Sequence, residues 1–227
     1  MEGNPDRTIL EIARQRTYLY DDENKICYKW NCKAGCTLLK YLCLMHSPYK
    51  DEFLKHCSDN GLNFFESIAV FFWRNEIEFK QQPEKFNQYR KIYVHRNPIT
   101  RFISCYNHLI YRNNYRGIYP EQILRRIRNR DFDKKLKNPI DHVVCHLIPQ
   151  NFKGDAHFFS TIDLESNEMH DFLSETYGNL YHEAQKKLEE CGHHKHKIVL
   201  LRLKNVILQK NLCEKIMLAD RVKDIGL

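Results

Sequence analysis

Hydrophobic and polar positions along the chain switch between two periods. Ile26, Tyr28 and Trp30 recur at every second position, which predicts a short strand over Asn24 to Trp30. After a turn at Lys33-Ala34-Gly35, the residues Leu38, Leu39, Leu42 and Met45 fall at helical spacing and predict a helix over Thr37 to His46. Phe64, Phe65, Ile68, Phe71 and Phe72 repeat in the same way and mark a helix with a core-facing stripe, a pattern broken at Pro83. Arg90 to Arg96 is a second strand, with Ile92 and Val94 as buried positions. Pro98 then opens a helix, where its missing N–H costs nothing, and Phe102, Ile103, Tyr106, Leu109 and Ile110 form the buried stripe. The order strand, turn, helix therefore occurs twice.

The remaining chain continues the alternation. Pro120 opens a helix carrying Ile123, Leu124 and Ile127. Asn138-Pro139 reads as an N-cap followed by Pro at the first helical position, with Ile140, Val143, Val144 and Leu147 on one face. Ala156 to Ile162 is a third strand candidate and Lys197 to Leu203 a fourth. Ser166 caps a helix that stops at Gly178, Tyr181 to Cys191 is helical, and Asn211 to Lys223 is a final helix. Strands alternating with helices predict an α/β fold in three layers, a central parallel sheet flanked by helices. The 227 residues suit one domain. No repeat or linker divides them, so residues 24–227 are read as a single domain behind an N-terminal extension over 1–23.

Composition narrows the class of ligand. A formal net charge of +7 favours acidic partners such as nucleotides, phosphates, or sulfated and carboxylated glycans. Nine Cys are scattered without the paired clusters of a zinc site; Cys32 and Cys36 lie close but have no second pair. Most sit in apolar runs and read as reduced core residues, which favours a reducing compartment. No apolar stretch is long enough to span a bilayer, and Met1 to Asp22 lacks the apolar run of a signal peptide. The expectation is a cytoplasmic protein if the chain is complete, and a Golgi-lumenal one if it is an excised catalytic domain.

Two segments carry candidate chemistry. Lys33-Ala34-Gly35-Cys36-Thr37, with Leu38 in the first helical turn, directs backbone N–H groups and the positive end of a helix dipole into one concavity. Lys33 adds a full charge and Thr37 a hydroxyl. In the second, Arg96 stands at the C-terminal end of a strand, where parallel sheets bind ligands, and Ser104 lies two turns into the next helix. Arg supplies a fork of donors matched to phosphate.

Together these segments resemble the 5′-phosphosulfate loop and the 3′-phosphate motif of the sulfotransferases that use 3′-phosphoadenosine 5′-phosphosulfate (PAPS). The resemblance is in particular to the Golgi carbohydrate sulfotransferases of the chondroitin and HNK-1 type, sulfotransferase family 2. Lys33 to Thr37 looks like the family's Lys-x-Gly-Cys-Thr, and Arg96, Pro98, Arg101, Ser104 and Tyr106 fall at the spacing of its second motif. Tyr89-Arg90-Lys91-Ile92 resembles the lead-in to that motif, His146-Leu147-Ile148-Pro149-Gln150 the family's His-Trp-x-Pro-Gln segment, and Phe159 to Glu165 its strand before an acidic helix. Asn97 stands where the family has an acidic residue, and Leu147 where it has Trp.

The resemblance implies a P-loop-like fold, PAPS as donor, adenosine 3′,5′-bisphosphate as leaving group and a hydroxyl acceptor, expected on a glycan. It implies that no metal is required; no nucleic acid partner is expected, and the family's usual Golgi membrane anchor is not read in this chain. Lys33, Ala34, Gly35, Cys36, Thr37, Leu38, Arg96 and Ser104 would hold the donor. Lys33 would stabilise charge on the leaving oxygen, and His146, with His142 as the alternative, would act as general base. Either His also reads as an ordinary helix residue. The run Arg125, Arg126, Arg128, Arg130, Lys134, Lys135 and Lys137 reads as a solvated face or as an acidic-glycan contact, and His193, His194 and His196 as a polar loop rather than a metal site. Two other classes stand beside this one. A P-loop-like nucleotide kinase needs a Walker-type Lys and a magnesium carboxylate, neither of which is evident. A noncatalytic basic module fits the charge but gives no reason for both motifs.

Overall fold

The computed structural model describes residues 18–30, 35–74, 84, 87–112, 119–128, 160–190 and 216. The first element is a strand the alternation pattern did not reveal, β1 (Tyr18–Asp21), within the stretch read as an N-terminal extension. It pairs antiparallel with β2 (Ile26–Trp30), and the turn between them closes through Lys25 at φ 54°. β2 begins two residues later than predicted because Asn24 is spent on that turn, where its side chain donates to the Asp21 carboxylate at 2.9 Å. Three helices follow, α1 (Cys36–Met45), α2 (Lys50–Asn60) and α3 (Phe64–Arg74), before β3 (Arg90–His95). Then come α4 (Pro98–Arg112), α5 (Pro120–Arg128), β4 (Ser160–Asp163), α6 (Asn167–Tyr177) and α7 (Asn179–Glu190).

The sheet runs β1-β2-β3-β4, with β2, β3 and β4 parallel. Parallel neighbours need long crossovers, and the intervening helices supply them. Tyr28 lies opposite Ile92, and His95 opposite Asp163, so the C-terminal ends of the three parallel strands share one edge. Cys27 and Tyr28 are both fully buried. Successive strand residues point to opposite faces, so β2 is covered on both sides. This is the expected α/β arrangement, a mostly parallel sheet flanked by helices. Lys29 is buried as well, its ammonium donating to the Tyr18 hydroxyl at 3.1 Å and lying over that ring.

Two compact units contain these elements. The first, Thr17–His95 with Gly154–His196, holds the four described strands, α1 to α3, α6 and α7; the second holds α4 and α5 within Arg96–Lys153. The core of the sheet unit joins Leu39, Leu42, Phe53, Ile68, Phe72, Ile92 and Val94 with Phe172 and Leu173. The stripe expected of α3 is buried at Phe65, Ile68, Phe71 and Phe72. In the second unit Phe102, Ile103 and Cys105 of α4 and Ile123 and Leu124 of α5 are buried. β4 realises the last part of the third predicted strand. The helix expected after Asn138-Pro139 and the strand expected over 197–203 lie outside the described residues, as does the final helix except for Ile216, which is helical and buried.

Candidate anion-binding site

α1 starts where β2 has ended at the C-terminal edge of the parallel strands. Its N-cap is Gly35 in the left-handed conformation, φ 73°, which a side chain would strain. The Leu39 amide donates to the Gly35 carbonyl at 3.1 Å as the helix's opening bond. The N–H groups of Cys36, Thr37 and Leu38 come before it, in the first turn, where a helix supplies no carbonyl of its own. Among the described residues no side chain caps this end, and its first turn contains no acidic residue. Gly35, Cys36, Thr37 and Leu38 are all half-buried. Three convergent donors, a hydroxyl at Thr37 and the positive end of the dipole form a place suited to a phosphate-like anion.

Gly35 also has a steric reason to be glycine. A Cβ built there would lie 2.5 Å from Leu164 Cδ1. Leu164 follows β4 directly, and its amide donates to the His95 carbonyl at 2.9 Å, extending the ladder one step past the end of the strand. Sequence reasoning did not single it out. The only signal was the strand, turn, helix order repeated a third time at β4 and α6.

The second motif sits at the start of α4. Asn97 accepts from the Ile99 amide through Oδ1 at 2.9 Å, and its carbonyl accepts from the Arg101 amide at 2.9 Å and the Thr100 hydroxyl at 3.1 Å. The amide side chain thus does the capping work a carboxylate would do in its place. Here too the first turn has no acidic residue. Arg96 and Ser104 are half-buried, and Arg101 is buried. The structure therefore gathers Gly35, Cys36, Thr37 and Leu38 at one helix start in the sheet unit. It places Arg96 and Ser104 at another helix start in the second unit. Lys33, Ala34, His142 and His146 lie outside the described residues.

A separate polar cluster sits at the other end of α1, whose ten residues rise about 15 Å. Asp21, fully buried, accepts from the Glu23 and Asn24 amides at 3.1 and 3.0 Å and lies 3.1 Å from His46 Nδ1. Burial opposes its charge, but the backbone and side-chain hydrogen bonds from Asn24, the hydrogen bond from Tyr177 and the field of His46 outweigh it and hold the carboxyl below the usual range. Nearby, the Tyr28 and Tyr177 hydroxyls share a hydrogen bond at 3.0 Å. Among the described residues Cys27, Cys43, Cys57 and Cys105 are buried thiols outside any disulfide, as their apolar settings implied, and Cys36 is a half-buried thiol. Burial pushes the Cys27 thiol up to about 12, so it stays protonated and inert.

A mostly parallel sheet flanked by helices, with a glycine-turned helix start after its first parallel strand, defines an α/β protein. Residues 16–143, more than half the chain, match the model of the Sulfotransferase family, and the chain belongs to that family. The matched span includes Lys33 to Leu38, Arg96, Ser104 and His142, and ends before His146. Membership supports sulfotransfer as the activity and an enzymatic role. Searches of curated proteins and of solved structures give no match.

Proposed function

We infer that the chain transfers a sulfuryl group from PAPS to a hydroxyl of a carbohydrate. The observation that carries this reading is the uncapped start of α1, entered through Gly35 at the end of a parallel strand inside the family-matched segment. The N–H groups of Cys36, Thr37 and Leu38 suit the 5′-phosphosulfate, and Arg96 and Ser104 suit a second phosphate, the 3′ group that sets this donor apart from ATP. In the reaction the acceptor oxygen forms a bond to sulfur while the bond from sulfur to the bridging oxygen of the 5′-phosphate breaks. The bond electrons stay on that oxygen and adenosine 3′,5′-bisphosphate departs. The amides of Cys36 to Leu38 and the Lys33 ammonium oppose the growing charge. The acceptor proton passes to a base, for which His146 stands first and His142 second. The carbohydrate acceptor rests on the resemblance of Lys33 to Thr37 and of the Arg96 motif to the chondroitin and HNK-1 enzymes.

The test is ligand binding followed by unfolding. A single-site ligand at a hundred times its Kd stabilises by about 2.7 kcal/mol, or about 5–10 °C for a chain of this size. Adenosine 3′,5′-bisphosphate is expected to raise Tm by that amount, and Arg96→Ala to bind it about 1.5–3 kcal/mol more weakly, the scale of a charged hydrogen bond. A larger rise with ATP and magnesium would move the assignment to a phosphoryl transferase.

A further inference from the structure

Gly35 has no side chain of its own with which to hold the shape of its turn. Glycine at positive φ is free to leave that conformation, and three amides converge on an anion only while it stays there. What fixes it must come from outside the turn. Leu164 meets the need in two ways. Its isobutyl group occupies the space a Cβ at residue 35 would need, with Cδ1, Cδ2 and Cγ all within 3.3 Å of that point. Its amide binds the His95 carbonyl, so the side chain is carried on a continuation of the sheet.

The segment bearing Leu164 is itself held on both sides. The Glu165 amide donates to Asp163 Oδ1 at 2.9 Å. The Ser166 amide and hydroxyl both donate to the Asp163 carbonyl, at 3.0 and 2.7 Å. Ser166 in turn caps α6 by accepting from the Met169 amide at 3.1 Å. Leu164 also packs against the hydrophobic core. A wall anchored to a strand, a cap and the core is stiff, and it faces a glycine, the residue type with the freest backbone.

We propose that Leu164 is a positioning residue for the donor loop: it locks Gly35 in the left-handed turn and so pre-organises the amides that receive the 5′ end of the donor. This rests on the donor reading above, and it adds a residue that touches no reacting atom. Pre-organisation of this kind acts on affinity and rate because small displacements of a binding group are costly.

The experiment measures two quantities on the full chain. One is affinity for adenosine 3′,5′-bisphosphate. The other is hydrogen exchange at the Leu39 amide, whose acceptor is the Gly35 carbonyl, in the ligand-free protein. Leu164→Ala is expected to weaken binding on the order of tenfold and to speed exchange at Leu39. Leu164→Val, a milder truncation, serves if the Ala variant folds poorly and should fall between. Leu164→Met, which keeps volume and reach, should restore both readouts. Leu180→Ala removes a residue packed against the same core from α7, so it controls for general loss of packing and should leave affinity unchanged. Wild-type affinity in Leu164→Ala and Leu164→Val, or an equal loss in Leu180→Ala, overturns the positioning role and leaves the donor reading intact. Failure of the wild-type chain to bind the bisphosphate, with exchange at Leu39 still responding to Leu164, overturns the donor reading and supports the mechanical link.

Discussion

Lys33 enters the turn two residues before Gly35, and in the proposed reaction its value lies in the change of charge along the path. The donor is already anionic when bound, and the bridging oxygen becomes more so as its bond to sulfur breaks. Only that increment speeds the step. Lys33→Ala is therefore expected to cut turnover by about 10²–10³, the usual cost of one such stabilising group. Bisphosphate affinity should fall much less. Transfer of labelled sulfate from PAPS to a mixed glycan pool, at matched folded fraction, measures it, and equal rates would remove Lys33 from the chemistry. Residues of this kind are legible in a sequence because their chemistry is visible in their type, whether an ammonium, a guanidinium, a hydroxyl or a glycine at a turn. Leu164 was not legible, because a leucine after a strand looks like core anywhere. Its role appears only when a distant glycine is seen against it.

Elements were legible where punctuation and periodicity agreed. Gly35 before α1, Pro98 at α4, Pro120 at α5, and Ser166 and Gly178 around α6 each mark an end that the structure reproduces. Two elements gave no such sign. α2 buries only Phe53 and Cys57 among eleven residues, too few to establish a period against its charged face. β1 is four residues long and joins β2 through a turn with neither Gly nor Pro, so nothing announced a hairpin. The cap of α6 gives a direct test at this scale. Ser166→Ala removes an acceptor for the Met169 amide and a donor to the Asp163 carbonyl. The expected loss is about 0.5–2 kcal/mol, read from urea unfolding, with Ser166→Asn recovering part of it. No loss in the Ala variant would mean that the segment carrying Leu164 is less firmly held than its hydrogen bonds indicate.

At the scale of the whole molecule, Asp21 links folding to pH. Its carboxyl is held below the ordinary value of 3.8 in the folded chain. Such a group stabilises the fold at pH values above its unfolded pKa, and the contribution is lost as pH falls through the lower folded value. Asp21→Asn should therefore be less stable than wild type at pH 7, and the gap should close as the pH drops below 3.8. Urea midpoints across that range measure it; a gap that stays constant with pH would show that Asp21 acts through packing alone. The sheet unit has a further consequence, for synthesis. Tyr28 and Tyr177, which share a buried hydrogen bond, are 149 positions apart. A ribosome working at roughly 5–20 residues per second presents β2 and β3 on the order of ten seconds before β4 exists. During that interval the flank of β3 that will receive β4 is an unfilled edge, open to any other strand. Gly35 meanwhile has no wall to lean on. If the turn is the donor site proposed above, it is among the last features a growing chain acquires, and a nascent chain halted short of Leu164 carries the amides of that turn without the side chain packed against Gly35.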